Sequence, residues 1–139
     1  IKTGRNRMKT LNPENWTAPK GYSNGIMAEG QVVFVAGQIG WDENCQFQSD
    51  DFVAQVRQTL VNTCAVLAEA GAGPQHLTRM TWYITDKQEY LGALKEVGAV
   101  YREVIGKNFP AMAMMQVVAL IEDRAKVEIE STAVIPVDS

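Results

Sequence analysis

The apolar residues fall into alternating runs and helical stripes, and their order predicts the elements. Ile26–Ala28 and Val32–Ala36 are short β-type runs flanking Glu29-Gly30, a hairpin signal. Gly37 and Gly40 end the second run, and a polar loop leads to Asp50. Ser49-Asp50-Asp51 offers N-cap chemistry. Val53, Val56, Leu60, Cys64 and Leu67 then recur at spacings of three and four, one stripe of a helix. Gly71 and Gly73-Pro74 stop it. Leu77–Thr85, rich in Thr, Trp, Tyr and Ile, reads as a strand. Asp86 and Glu89 have capping-box spacing, and Leu91, Leu94, Val97, Tyr101 and Val104 make a second helical stripe. Asn108-Phe109-Pro110 breaks that helix. Two strands follow, Ala111–Ala119 and Lys126–Val134, joined by Glu122-Asp123-Arg124. Residues 8–24, rich in Pro, Asn, Gly and Lys, read as an irregular lead-in.

The order β-β-α-β-α-β-β predicts an α+β domain, a mixed sheet with both helices on one face. The other face would be bare, and monomers rarely leave a large apolar patch uncovered. A second copy of the chain is therefore expected to cover it, in a closed homo-oligomer.

Composition narrows the class. The chain has 139 residues, 46% hydrophobic and 21% charged, which fits a single domain with its own core. Residues 8–139 are assigned to that domain. Residues 1–7, with Lys2, Arg5 and Arg7, lack hydrophobic periodicity and read as a native tail or a remnant ahead of a Met8 start. The net charge of −3 and the lack of a basic stripe argue against nucleic acid as a partner. No run approaches the ~20 apolar residues of a membrane span. Cys45 and Cys64 form no disulfide framework, so a reducing cytoplasm is the expected location.

Familiar catalytic signatures are missing. The sequence has no P-loop, GxGxxG, GxSxG or metal-spaced Cys/His set, so no cofactor and no metal is expected. The one histidine, His76, follows Pro74 and reads as a solvated loop residue. Cys64 occupies a stripe position and reads as core, and Cys45 has no basic neighbour to activate it. The carboxylates carry more information. Strand alternation in Lys126–Ser131 puts Val127, Ile129 and Ser131 on one face, with Glu128 and Glu130 on the other. Such a row is either solvated or faces a polar pocket, where a carboxylate can act as general base toward water. The preceding strand, with Met112, Met114 and Met115, reads as core or as the lining of an adaptable apolar site.

Several segments together resemble the RidA (YjgF) family of reactive-imine deaminases. They are Gly21-Tyr22-Ser23-Asn24-Gly25, Val33–Ile39, Leu67–Ala72, Trp82-Tyr83-Ile84-Thr85-Asp86, Phe109-Pro110-Ala111 and Val127–Glu130. They recur in the family's order over most of the chain. The resemblance implies a chorismate-mutase-like fold, a mixed six-stranded sheet with two helices on one face. It also implies a homotrimer with small-molecule pockets between subunits.

The resemblance further implies hydrolysis of enamines or imines to 2-oxo acids and ammonia. In that scheme Glu128 positions or activates water, Tyr22 lines the pocket and Gly37 offers a backbone contact. The family serine before that glycine is Ala36 here, and an asparagine of the second helix corresponds to Gly98. The carboxylate-gripping arginine corresponds to Met112, and a frequent cysteine to Met114. Methionine offers neither donor nor charge, so the bidentate anchor is lost from this position. Met112, Met114, Trp41 and Tyr22 would then form a more apolar pocket for a less acidic substrate, unless Arg79, Arg102 or Arg124 reaches in. Ordinary 2-iminopropionate deaminase activity is expected to be weak or absent. The alternative is a non-catalytic metabolite-binding or regulatory trimer; a ribonuclease or translation inhibitor fits the acidic chain less well.

Overall fold

The computed structural model describes residues 8–137. The reading of residues 1–7 as a tail or remnant lies outside them. The strands are β1 (Met8–Leu11), β2 (Gly25–Ala28), β3 (Gln31–Ile39), β4 (Leu77–Ile84), β5 (Ala111–Gln116) and β6 (Val127–Ile135). The helices are α1 (Phe52–Glu69), α2 (Lys87–Leu91) and α3 (Leu94–Val104). Four strands form one sheet in the order β3-β6-β4-β5, with β6 antiparallel to both neighbours and β4 parallel to β5. β1 and β2 form a separate antiparallel pair. A parallel bridge from Ser23 to Ala111 ties the segment before β2 to the β5 edge. The α+β class and six strands agree with expectation, although the strands lie in two sheets.

The expected hairpin of Ile26–Ala28 with Val32–Ala36 does not form. β2 pairs with Met8–Leu11, in the stretch read as an irregular lead-in, and β3 pairs with β6. Gly30 makes the change of partner at φ +149°, where a Cβ would stand 2.0 Å from the carbonyl oxygen of Ile135. β5 stops at Gln116, short of the predicted Ala119, and Val118 and Ile121 in the loop beyond are almost fully exposed.

α1 begins as its sequence predicts, with the Asp51 carboxylate accepting the Ala54 N–H at 2.9 Å. Its stripe, Val56, Leu60 and Leu67, is fully buried against the sheet. The second predicted helix is two helices. Asp86 caps α2, accepting from Gln88 and Glu89, but Gly92 and Ala93 interrupt the turn before α3. Val97 and Tyr101 of α3 are buried, whereas Leu91 and Leu94, assigned to the same stripe, remain half exposed. Both long helices cover one face, where they meet Met80, Trp82, Ile84, Val127 and Ile129.

A buried amide holds the loops at one end of the sheet. Gln55 of α1 is 1% exposed. Its Nε2 donates to the carbonyls of Ser49 and Arg124, both at 3.0 Å, and its Oε1 accepts from Lys126 N–H at 2.9 Å. Gly40 permits this approach, since a Cβ there would lie 2.7 Å from that of Gln55.

The opposite sheet face carries no helix. Phe34 is 79% exposed on it, opposite Thr132, and Tyr83, Glu128 and Glu130 share the surface. It is the bare face that the pattern anticipated.

Candidate functional site

Glu128 stands on this open face. Alternation along β6 buries Val127, Ile129, Ser131 and Ala133 under the helices and turns Glu128 and Glu130 away. A bulge in β3 shapes its surroundings. Val35 opposes Ser131 and Gln38 opposes Ile129, so Ala36 and Gly37 together face one residue, Glu130. A Cβ built on Gly37 would lie 2.0 Å from the Glu128 Oε2 atom. Only a glycine leaves the carboxylate where it is. Sequence reading ended the strand at Gly37; it continues to Ile39, and the glycine marks the bulge.

Tyr83 is an unforeseen neighbour. It opposes Glu128 across β4 and β6, and its hydroxyl donates to Glu130 Oε2 at 3.2 Å. Desolvation and then the adjacent Glu130 charge hold its phenol above the usual range, keeping it a neutral donor. The β4–β6 register makes this pairing, and no local motif signals it.

The remaining predicted pocket residues lie elsewhere. Met112 and Met114 pair in register with Met80 and Trp82, so their side chains point to the helix face. There they floor a cleft of about 340 Å³ between β5, α3 and the segment before β2. Tyr22 lines its mouth. Ser23 positions that segment: its N–H donates to Pro110 O at 3.0 Å and its hydroxyl to Phe109 O. Aromatic groups build the wall. Tyr101 stacks on Phe109 at 5.8 Å and packs 6.4 Å from Trp82, and the Tyr101 hydroxyl donates to Asn108 O at 2.6 Å. Burial raises the Tyr101 phenol far above its ordinary value, with a smaller contribution from Cys64. Gly98, the expected asparagine position, also lines the cleft, and a Cβ there would meet nothing within 4 Å.

Within one protomer the predicted residues therefore form two groups. Glu128 and Gly37 occupy the open face at the centre of the sheet, and Tyr22, Met112 and Met114 occupy the helix-side cleft at the β5 edge. Trp41 joins neither. It follows β3, at the far edge, where it packs 5.7 Å from Phe47 and its carbonyl accepts from Asn62 at 2.7 Å. Its expected place in the Met112 pocket is not found within the protomer, because the sheet lies between.

The other residues weighed from sequence have structural settings. His76 is half buried and its Nδ1 accepts the Gly73 N–H at 3.0 Å, so it caps the short 3-10 turn and is not a solvated loop side chain. Burial pushes the Cys64 thiol up, in keeping with a core residue. Among the described residues no group of three or more His, Cys, Asp or Glu is placed to hold a metal ion. No helix among them is long and apolar enough to cross a membrane.

Comparison with known proteins places this architecture. The family profile described as Endoribonuclease L-PSP matches residues 14–135. Protein DfrA of Myxococcus xanthus is 36% identical over 122 residues, covering 84% of this chain and 89% of that protein. A 2-iminobutanoate/2-iminopropanoate deaminase of Salmonella typhimurium is 32% identical, covering 91% and 97% respectively. Among solved structures, the Rid-family protein YyfB of Yersinia pestis superposes with a TM-score of 0.82 at 27% identity, covering 93% of this chain and 99% of that one. E. coli TdcF, solved with bound serine, gives 0.66 at 28% identity, covering 92% and 99%. Matched over most of its length, the chain belongs to the RidA (YjgF) family, whose profile carries the description Endoribonuclease L-PSP.

Proposed function

We propose that the chain is a hydrolytic deaminase of imines or enamines that works in pockets between the subunits of a homotrimer. The observation that carries this reading is the separation of the two groups. Glu128 on the exposed sheet face and the Tyr22–Met112 cleft are both open, yet they face different ways. A head-to-tail ring that sets one copy's open face against the next copy's cleft makes one composite pocket per interface. It also covers Phe34.

In such a pocket Glu128 takes a proton from water as the oxygen bonds to the C=N carbon. The carboxylic acid returns that proton to the nitrogen. As the tetrahedral intermediate collapses to the C=O product, its hydroxyl proton passes through Glu128 to the nitrogen, the C–N bond breaks and ammonia leaves. Gly37 keeps the carboxylate in place. Tyr22 and the methionine floor receive the apolar part of the substrate, which alters specificity because Met112 stands where the family has arginine. Burial of apolar area at about 0.8 kcal/mol per methylene makes each added CH₂ worth about fourfold in kcat/KM. Turnover should therefore be weak on 2-iminopropionate and rise with side-chain length.

The test is ammonia release from 2-imino acids generated in situ. Wild-type protein should accelerate it, and Glu128→Gln should lose about 100-fold or more. Undiminished turnover by Glu128→Gln would remove Glu128 from the reaction. Ligand recovered unchanged from a wild-type complex, with no ammonia released, would favour the second reading, a trimer that binds a metabolite without chemistry. The net charge of −3 supports neither ribonuclease nor translation-inhibitor activity.

A further inference from the structure

The cleft over Met112 lacks the arginine that the family resemblance places on β5, but it does not lack a guanidinium. Arg102 of α3 lines the same cleft, one helical turn beyond Gly98. The other described arginines are placed or occupied otherwise. Arg79 lies on the open sheet face beside Glu130. Arg124 pairs with Asp50 at 2.9 Å and covers the Phe47 ring. Arg57 pairs with Glu103. The Arg102 guanidinium makes no ion pair or hydrogen bond among the described residues.

A second feature of the cleft independently lacks a partner. Trp82 is 2% exposed and its indole Nε1–H has no acceptor, although Trp82 forms part of the lining. A buried donor left unpaired is costly, but this one is sealed beneath the cleft lining and offers a ligand no contact. Lys20, in the segment before β2, is a second cation of the lining; the remaining wall is aromatic and apolar, with Tyr90, Tyr101 and Phe109 beside the two methionines. Space over Gly98 leaves the route to Arg102 open.

We infer that Arg102 supplies the anion-binding guanidinium of this cleft from the helix wall, and that the ligand is a carboxylate bearing an aromatic or long aliphatic group. The anchor has moved from the β5 floor to α3. The charged end of the ligand sits near Arg102 and its apolar body lies over Met112 and Met114. This rests on the reading of the cleft as the substrate half of the site, and it replaces the expectation of a less acidic substrate.

Phenylpyruvate and its uncharged counterpart phenylacetone serve as probes, with dissociation constants measured by calorimetry on the intact protein. Arg102 is exposed, so Arg102→Gln and Arg102→Lys should both fold. Arg102→Gln should weaken phenylpyruvate binding by about tenfold or more and leave phenylacetone within about twofold, since a charge-assisted contact is lost without change to the apolar wall. Arg102→Lys should recover part of the loss, keeping the charge but not the fork. Equal phenylpyruvate affinity in Arg102→Gln and wild type would overturn the inference, as would equal losses for both probes or no wild-type binding of phenylpyruvate. Ammonia release separates the two claims. Arg102-dependent binding without ammonia release sustains this inference and sinks the deaminase. Turnover with an unchanged KM in Arg102→Gln does the reverse.

Discussion

Replacing Gly37 with alanine sets the geometry of the Glu128 carboxylate against the stability of the fold. The new Cβ would arrive 2.0 Å from Oε2, 2.8 Å from Cδ and 3.0 Å from Cγ of Glu128. Ordinary nonbonded separation is about 3.5 Å, so the carboxylate oxygen must retreat by about 1.5 Å. The obstacle is the far end of a flexible side chain, and turning it aside costs on the order of 1 kcal/mol. Gly37 is not among the positive-φ glycines, so alanine also narrows the unfolded ensemble, which returns about 0.4–1 kcal/mol. Net stability should change by less than about 1 kcal/mol, a shift of a few degrees in Tm. Catalysis should suffer far more, because misplacing a reacting group by about 1 Å costs about 100-fold. The assay pairs a thermal melt with initial rates of ammonia release from a long-chain 2-imino acid, using Glu128→Gln as reference. A Gly37→Ala protein with wild-type kcat would refute the claim that the bulge positions the carboxylate. A protein that fails to fold would refute the claim that only a flexible side chain is in the way.

Three further expectations concern the scaffold. Gln55→Ala abolishes three buried hydrogen bonds that join α1 to two loops and to the start of β6; the cost should be about 3 kcal/mol and about 10 °C in Tm by calorimetry. Gly98→Ala adds a methyl to the body of α3 where a Cβ meets nothing, so chemical denaturation should show a gain of about 0.5–1 kcal/mol. The folded Tyr101 phenol is raised from its ordinary value of 10.0, so the fold holds this proton where the unfolded chain has released it. Its contribution is fully present below pH 10 and falls as pH rises toward the folded value. Urea titrations above pH 10 should show that decline, and Tyr101→Phe should flatten it.

Elements carried by local chemistry were legible in the sequence. Asp51 and the Val56–Leu60–Leu67 stripe defined α1, and alternation in Val127–Ser131 put Glu128 and Glu130 on one face. Features that depend on pairing between distant segments were not. Met8–Leu11 has no alternation of its own and becomes a strand only because β2 lies beside it. Gly92 and Ala93 divide one apparent helical stripe because that stripe does not record where a turn is capped. The site shows the same division. Glu128, Tyr22, Gly37, Met112 and Met114 came from motif resemblance. That Glu128 and Met112 face opposite sides of the sheet follows from the β6 and β5 alternation combined with strand order, which no single segment encodes. Arg102 could be named from sequence only alongside Arg79 and Arg124. Its place in the cleft depends on how α3 packs against β5.

The central claim is that catalysis needs Glu128 from one subunit and the cleft from another, and subunit mixing tests it most directly. Glu128→Gln removes the base. Gly98→Trp obstructs the cleft from a lining position where a Cβ meets nothing within 4 Å in the protomer. Each variant alone should be nearly inactive. In trimers refolded from an equal mixture, each interface draws its carboxylate and its cleft independently, so about one quarter of the sites should be intact and ammonia release should recover to about that fraction of wild type. Activity that stays at the level of the two parent variants would contradict the account, because it would place both halves of the working site within one chain.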